Sequence, residues 1–309
     1  MAGRSEAGQG DRTQVSAAGD AGGPTTVRPT GKLPNFLLIG AMKAGTTSLW
    51  HYLRGHPQVF MPAVKEVMFF DPRHKWERGV DWYERQFEEA PDEAVALGEA
   101  STSYTKYPVV RDVPSRIASV VPEVGLIYMV RHPVERMQSH YLYALSRGKE
   151  SRPIEQAFAE DPAYLDISRY GLQLEQYEPY FGRDRFLLLD SRDLRNDRVE
   201  TLRRVFRFIG VDDTWIPPVV DREFFRSEDR RMQAAYSPTL GRMPRLRTIS
   251  KRVPEPLKAF ARKVTSDKVD VRRARISDDL RHQLEDSLRE DVAKLRRFMP
   301  ESFDGWGLA

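Results

Sequence analysis

The chain has 309 residues, with 49 Lys and Arg against 45 Asp and Glu, six His and no Cys. The lack of cysteine excludes disulfides, thiolate nucleophiles and Cys-ligated zinc, and the histidines show no metal-ligand spacing. A net charge of +4 suits an anionic small ligand and is too small to argue for nucleic-acid binding. No run approaches the roughly 18 apolar residues of a membrane span, so the expectation is a soluble, cytoplasmic protein.

Residues 1–31 are rich in Gly, Ala, Ser, Thr and Asp and nearly lack large apolar side chains. Such a segment cannot bury enough surface to offset its ordering entropy and is expected to be disordered. It has no apolar h-region, so it does not read as a secretory signal. Residues 32–309 have the length of a single α/β domain.

Phe36 to Ile39 is an apolar strand, Gly40 to Gly45 a glycine-bounded turn, and Thr46, Thr47 and Ser48 open a helix that continues through Leu49, Trp50 and Leu53. A strand, a tight turn and a helix N-terminus together present inward-pointing N–H groups and a positive dipole end to a phosphate. Lys43 adds a full cation. Gly40 and Gly45 keep Walker A spacing, yet Thr46 stands where that motif has its lysine. The lysine has moved back into the turn, over a shorter anion. The same stretch also reads as a threonine-capped glycine turn carrying an incidental surface lysine.

The short run Val59 to Met61 precedes Lys65-Glu66-Val67-Met68-Phe69-Phe70-Asp71, in which Phe69 and Phe70 read as core. By itself Glu66 reads as an exposed loop carboxylate beside Lys65. Val95 to Ala100 runs as a strand into the segment Ser101 to Tyr104. Val124 to Val130 is typical of a buried parallel strand. It ends in Arg131-His132-Pro133, where a P-loop NTPase often carries a metal-holding Asp. Pro133 fits the first turn of the next helix, and Ser139 lies two turns further on, within reach of the same anion as Arg131. Spacing from Tyr170 predicts an amphipathic helix stopped by Gly182. Arg185 to Asp190 is a further strand. Arg198 to Ile209 is a helix closed by Gly210, and residues 277–299 form a last helix, with Trp306 packing back. Strands and helices alternate from 34 to 210, which argues for an α/β, P-loop-like three-layer fold with a central parallel sheet flanked by helices.

The segments Gly-Ala-Met-Lys-Ala-Gly-Thr-Thr-Ser-Leu (40–49) and Val-Arg-His-Pro-Val-Glu-Arg-Met-Gln-Ser-His-Tyr (130–141) together resemble the two cofactor signatures of sulfotransferases that use 3′-phosphoadenosine-5′-phosphosulfate (PAPS). The resemblance runs from about Leu33 to about Trp306. It implies that Lys43, Ala44, Gly45, Thr46, Thr47 and Ser48 hold the 5′-phosphosulfate, that Arg131 and Ser139 hold the 3′-phosphate, and that no metal takes part. Lys65 to Asp71 is similar to the Lys-Glu-Val-x-Phe-Phe block of the heparan sulfate and related bacterial branch, which implies Glu66 as general base beside Lys65. Glu99 and Tyr104 match that branch at an acceptor-side segment, where Glu99 orients its neighbours or the acceptor. Ala100 replaces the lysine carried there by the relatives, with Lys106 near enough to compensate. A late basic loop containing Arg242 or Arg245 is implied over the 3′-phosphate.

The implied reaction is sulfuryl transfer from PAPS to a hydroxyl or amino group of a small-molecule or saccharide acceptor, leaving 3′-phosphoadenosine-5′-phosphate (PAP). Two alternatives stand beside it: a P-loop kinase or other NTPase, and a non-catalytic PAP-binding protein of the same fold. Oligomeric state is not legible.

Overall fold

A computed structural model describes residues 31–218, 220 and 275–309. The disorder expected of the first thirty residues and the roles implied for Arg242 and Arg245 lie outside the described residues.

Among the described residues, five strands form one sheet: β1 (Phe36–Gly40), β2 (Val59–Phe60), β3 (Ala96–Ala100), β4 (Gly125–Val130) and β5 (Phe186–Asp190). Their order is β2-β3-β1-β4-β5, and every pairing is parallel. Leu37 faces Glu99 on one side and Leu126 on the other. A central parallel strand is covered on both faces and so reads as an unbroken apolar run; Phe36 to Ile39 and Leu126 to Val130 are buried throughout. Gly98 is required where it stands, because a Cβ there would meet the Phe36 ring at 2.2 Å.

The helices around the sheet are α1 (Thr46–Arg54), α2 (Val80–Glu84), α3 (Val113–Val120), α4 (Pro133–Ser146), α5 (Ile154–Glu160), α6 (Ala163–Asp166), α7 (Tyr170–Glu175), α8 (Ser191–Asn196), α9 (Arg198–Ile209) and α10 (Asp278–Arg296). α9 ends at the expected Gly210, which adopts φ 75°, a conformation that glycine takes without strain; its start is capped by the Asp197 carboxylate, which accepts from the Glu200 N–H. α10, the expected last helix, buries Leu288, Val292 and Leu295 along one face. Trp306 does pack back, donating its indole N–H to Asp190 Oδ2 at 2.8 Å at the end of β5. His56 is buried against Phe206 and Trp215, a packing role.

The helix expected from Tyr170 to Gly182 is shorter. α7 ends at Glu175, and Gly182 is extended, with φ −65° and ψ 160°. Beyond Glu175 the chain tightens into mixed turns: Leu174 O accepts from Tyr177 N–H at 2.8 Å and Glu178 N–H at 3.1 Å, and Tyr177 O from Tyr180 N–H at 2.9 Å and Phe181 N–H at 3.1 Å. This tightening lets Tyr177 bury its ring and donate to Tyr104 O at 2.9 Å. Tertiary burial of one tyrosine outweighs the local helical pattern.

β1 is flanked by β3 and β4, so the chain leaves it toward one edge and later returns to the other. The C-terminal end of β1 is therefore a topological switch point, where loops part and leave a crevice.

Candidate functional site

That crevice holds a cavity of about 890 Å³, within the range of small-molecule and cofactor sites. It gathers residues from the C-terminal ends of β1, β3, β4 and β5. Ten of the residues singled out from sequence line it together: Lys43, Ala44, Gly45, Thr46, Thr47, Ser48, Lys65, Glu66, Arg131 and Ser139.

At one end, the loop from β1 turns into α1 through Gly45 at φ 100°, and no side chain caps the helix. Its N-terminal dipole end therefore faces the cavity. Lys43 is itself left-handed at φ 73°, and its ammonium sits 5.1 Å from the centre of the Tyr143 ring. The loop is seated on the sheet by Ala41 N–H, which donates to Met129 O at 2.7 Å. Arg131 leaves the end of β4, and its carbonyl accepts from Tyr170 Oη at 2.7 Å. Its guanidinium is forked on Glu135 Oε2 at 2.9 and 3.1 Å. Ser139, buried on α4, opens onto the same cavity.

At the other end, Glu66 is held by three donors. Thr102 N–H reaches Oε2 at 2.8 Å, Thr102 Oγ1 reaches Oε1 at 3.1 Å, and Lys65 Nζ reaches Oε1 at 2.6 Å. Its own N–H donates to Ala100 O at 2.8 Å, at the end of β3. The exposed-carboxylate reading therefore fails: Glu66 pairs with Lys65, but its place is set by Thr102 and β3. Both Glu66 and Met68 have left-handed φ values, 66° and 57°. Non-glycine residues hold that conformation only when their surroundings over-determine it.

Glu99 and Tyr104 supply those surroundings and do not reach the cavity wall. Glu99 is fully buried; it accepts from Ser101 Oγ at 2.6 Å, from Tyr83 Oη at 3.3 Å and from Tyr104 Oη. Because this carboxylate takes the hydroxyl protons, Ser101 Oγ and Tyr104 Oη are left with lone pairs pointing outward. Those oxygens accept from Met68 N–H at 2.8 Å and Phe70 N–H at 3.2 Å. A two-step relay thus runs from Glu99 to the backbone just after Glu66. Burial pushes the Glu99 pKa up to about 7, against the hydrogen bonds from Ser101 and Tyr104. Of the two roles implied for Glu99, the structure gives it the orienting of neighbours.

Other wall residues escaped the sequence reading. Ser191, Arg195 and Arg198 line the cavity from α8 and the start of α9. A signal was present: they follow a buried strand, as Arg131 does, and strand ends at a switch point converge. Arg73 and His74 also line it. Arg73 is forked on the buried Asp71, at 3.0 and 2.9 Å. His140 is kept neutral, its pKa driven down to about 2 by burial and by the cations Arg136, Lys106 and Lys43.

Known proteins place this geometry. The family model for the sulfotransferase domain matches residues 33–236. The chain is 34% identical over 130 residues to the membrane-associated sulfotransferase kil1 of Dictyostelium discoideum, covering 41% of this chain and 26% of that protein. It is 30% identical over 234 residues to heparan sulfate glucosamine 3-O-sulfotransferase 6 of Homo sapiens, covering 73% of this chain and 65% of that protein. Its 30% identity to the bifunctional heparan sulfate N-deacetylase/N-sulfotransferase 3 of Homo sapiens covers only 22% of the latter. The chain thus spans between about a quarter and two thirds of the length of these relatives. The crystal structure of a sulfotransferase from Alicyclobacillus acidocaldarius has the same fold, with a TM-score of 0.65 at 23% identity over 89% of this chain and 99% of that one. The matched region contains both the Lys43 loop and the Arg131–Ser139 segment, and the chain belongs to the sulfotransferase domain family.

Proposed function

We propose that the protein transfers a sulfuryl group from PAPS to a hydroxyl or amino group of a small-molecule or saccharide acceptor. The observation that carries this reading is the convergence, in one cavity, of two separate anion points and a pinned carboxylate. The donors fit PAPS: the Lys43 loop and the α1 N-terminus suit a 5′-phosphosulfate, and Arg131 with Ser139 suits a second phosphate. The saccharide option follows from the relatives named for heparan sulfate.

PAPS, when bound, supplies sulfur joined to the 5′-phosphate through a bridging oxygen that leaves with the S–O electron pair. The residues act around that exchange. Glu66 takes the acceptor proton as the new O–S or N–S bond forms, because a protonated alcohol is a poor nucleophile. Lys43 and the loop N–H groups meet the charge that gathers on the departing phosphate, and they are already oriented before it appears. Arg131 leaves part of its partnership with Glu135 to take the 3′-phosphate. Among the described residues, no helix is long and apolar enough to cross a membrane.

The direct test is thermal unfolding with PAP, and separately with ATP and Mg²⁺. PAP at about 100 times its dissociation constant stabilises the folded chain by about 2.7 kcal/mol, a rise of about 5–10 °C in midpoint for a domain of this size. A shift confined to Mg-ATP would replace this reading with a kinase-like one. Arg131→Ala is expected to weaken PAP binding by about 10- to 100-fold, the worth of a hydrogen bond between charged groups. The Glu135 carboxylate left behind adds repulsion. Calorimetric titration with PAP checks it, and an unchanged affinity removes Arg131 from the phosphate site.

A further inference from the structure

We propose that Lys106 is a further catalytic residue, its ammonium holding the non-bridging oxygens of the transferring sulfuryl group between Lys43 and Glu66. This rests on the sulfotransferase reading above and assigns a residue to the middle of that site.

A buried 3-10 turn, Thr102–Thr105, joins the two ends of the cavity. At its start, Thr102 holds the Glu66 carboxylate through its N–H at 2.8 Å and its hydroxyl at 3.1 Å. At its end, Thr105 Oγ1 donates to Ile39 O at 3.1 Å. That oxygen lies so close to the first glycine of the phosphate loop that a Cβ on Gly40 would meet it at 2.0 Å. Lys106 is the next residue, and its side chain lines the cavity that Lys43 and Glu66 share. One short, tightly held turn thus fixes Lys106 relative to both ends.

The neighbouring cations are already engaged: Lys65 sits on Glu66 at 2.6 Å, and Arg73 sits on Asp71 at 2.9 Å. Lys106, half-buried, makes no ion pair and no side-chain hydrogen bond with any of the described residues. Burial pushes its pKa down, against the pull of Glu66, while Arg73 and Arg136 push the same way as burial. A desolvated cation without a partner is unfavourable until an anion joins it. Lys106 and Lys43 both act on His140, which places an anion near that ring within the field of the two lysines.

In-line transfer puts the acceptor atom and the departing oxygen on opposite sides of sulfur. Glu66 serves the first and Lys43 the second. The non-bridging oxygens carry the remaining negative charge and call for a further cation, and Lys106 lines the same cavity. Lys106 stays protonated throughout: the O–S bond forms, the bridging S–O bond breaks with its pair on the phosphate, and the acceptor proton goes to Glu66.

PAP lacks the sulfuryl group, so comparing it with PAPS isolates the contact without any acceptor. Dissociation constants for PAPS and PAP are measured by titration calorimetry on the wild type and on Lys106→Met. The variant is expected to bind PAPS about tenfold or more weakly and PAP within twofold of the wild type. Lys106→Gln, polar and of similar length, is read in the same way should the Met variant fold poorly. An unchanged ratio of the two constants overturns the proposal. So does a parallel loss for both ligands, which marks general attraction and no sulfuryl contact. A wild-type chain that binds neither ligand instead removes the sulfotransferase reading on which the proposal stands.

Discussion

Lys43→Ala is expected to lower turnover by about 10²–10³-fold, the usual loss when one preorganised charge-stabilising contact is removed. Turnover is read as PAP released from PAPS. The loop should survive the change. Lys43 is left-handed at φ 73°, but lysine and alanine both carry a Cβ, so the substitution adds no backbone strain. What is lost is the ammonium above the Tyr143 ring, beside the backbone N–H groups and the hydroxyls of Thr46, Thr47 and Ser48 that line the same cavity. The midpoint of thermal unfolding is therefore expected to stay close to that of the wild type. Near-normal turnover in a folded variant would take Lys43 out of the chemistry.

Glu66→Gln is expected to lower turnover by about 10²–10⁴-fold, the range of general acid–base assistance. The amide keeps the shape of the carboxylate, and its oxygen still accepts the Thr102 N–H. It does not take a proton from an acceptor. Affinity for PAP is expected to stay within about twofold, because the phosphate-binding donors lie at the other end of the cavity. The pairing of a large turnover loss with an intact PAP titration separates a base from a residue that merely shapes the site. A variant that keeps turnover within threefold, or loses PAP binding along with it, sinks the assignment.

These two expectations rest on opposite kinds of support. Lys43 sits in a loop built almost entirely from local sequence, a strand followed by glycines and a helix start. Glu66 depends on residues more than thirty positions away. Its carboxylate is held by Thr102, and the backbone after it is held by Ser101 and Tyr104, both oriented by the buried Glu99. That difference accounts for the two readings of Glu66 in isolation, exposed loop carboxylate or base. The nearest neighbour in sequence, Lys65, is present in the pair, but the residues that decide its place belong to β3 and the turn after it.

Glu99 and Tyr104 show the same limit from the other side. Their segment leads into the site, and Glu99 read as orienting either its neighbours or the acceptor; both side chains point inward, away from the cavity wall. Alternation along a five-residue strand places a residue on one face or the other, and only the sheet decides which face meets helices and which end meets the cavity. The α8 residues Ser191 and Arg195 are the converse, reaching the cavity wall from a stretch with no motif of its own.

By itself, the sequence determined the elements whose cause is local. Unbroken apolar runs made β1, β4 and β5 parallel strands, a glycine-bounded turn before three hydroxyl residues made the phosphate loop, and Gly210 closed α9. From these the α/β class and the paired anion points followed. Only the tertiary structure decided which side chains converge. The order β2-β3-β1-β4-β5 brings the ends of distant strands to one crevice, and it also breaks the helix after Glu175 to bury Tyr177. The physical reason is that periodicity and turn chemistry act over a few residues, whereas burial and charge pairing act between whichever residues the crossovers bring together.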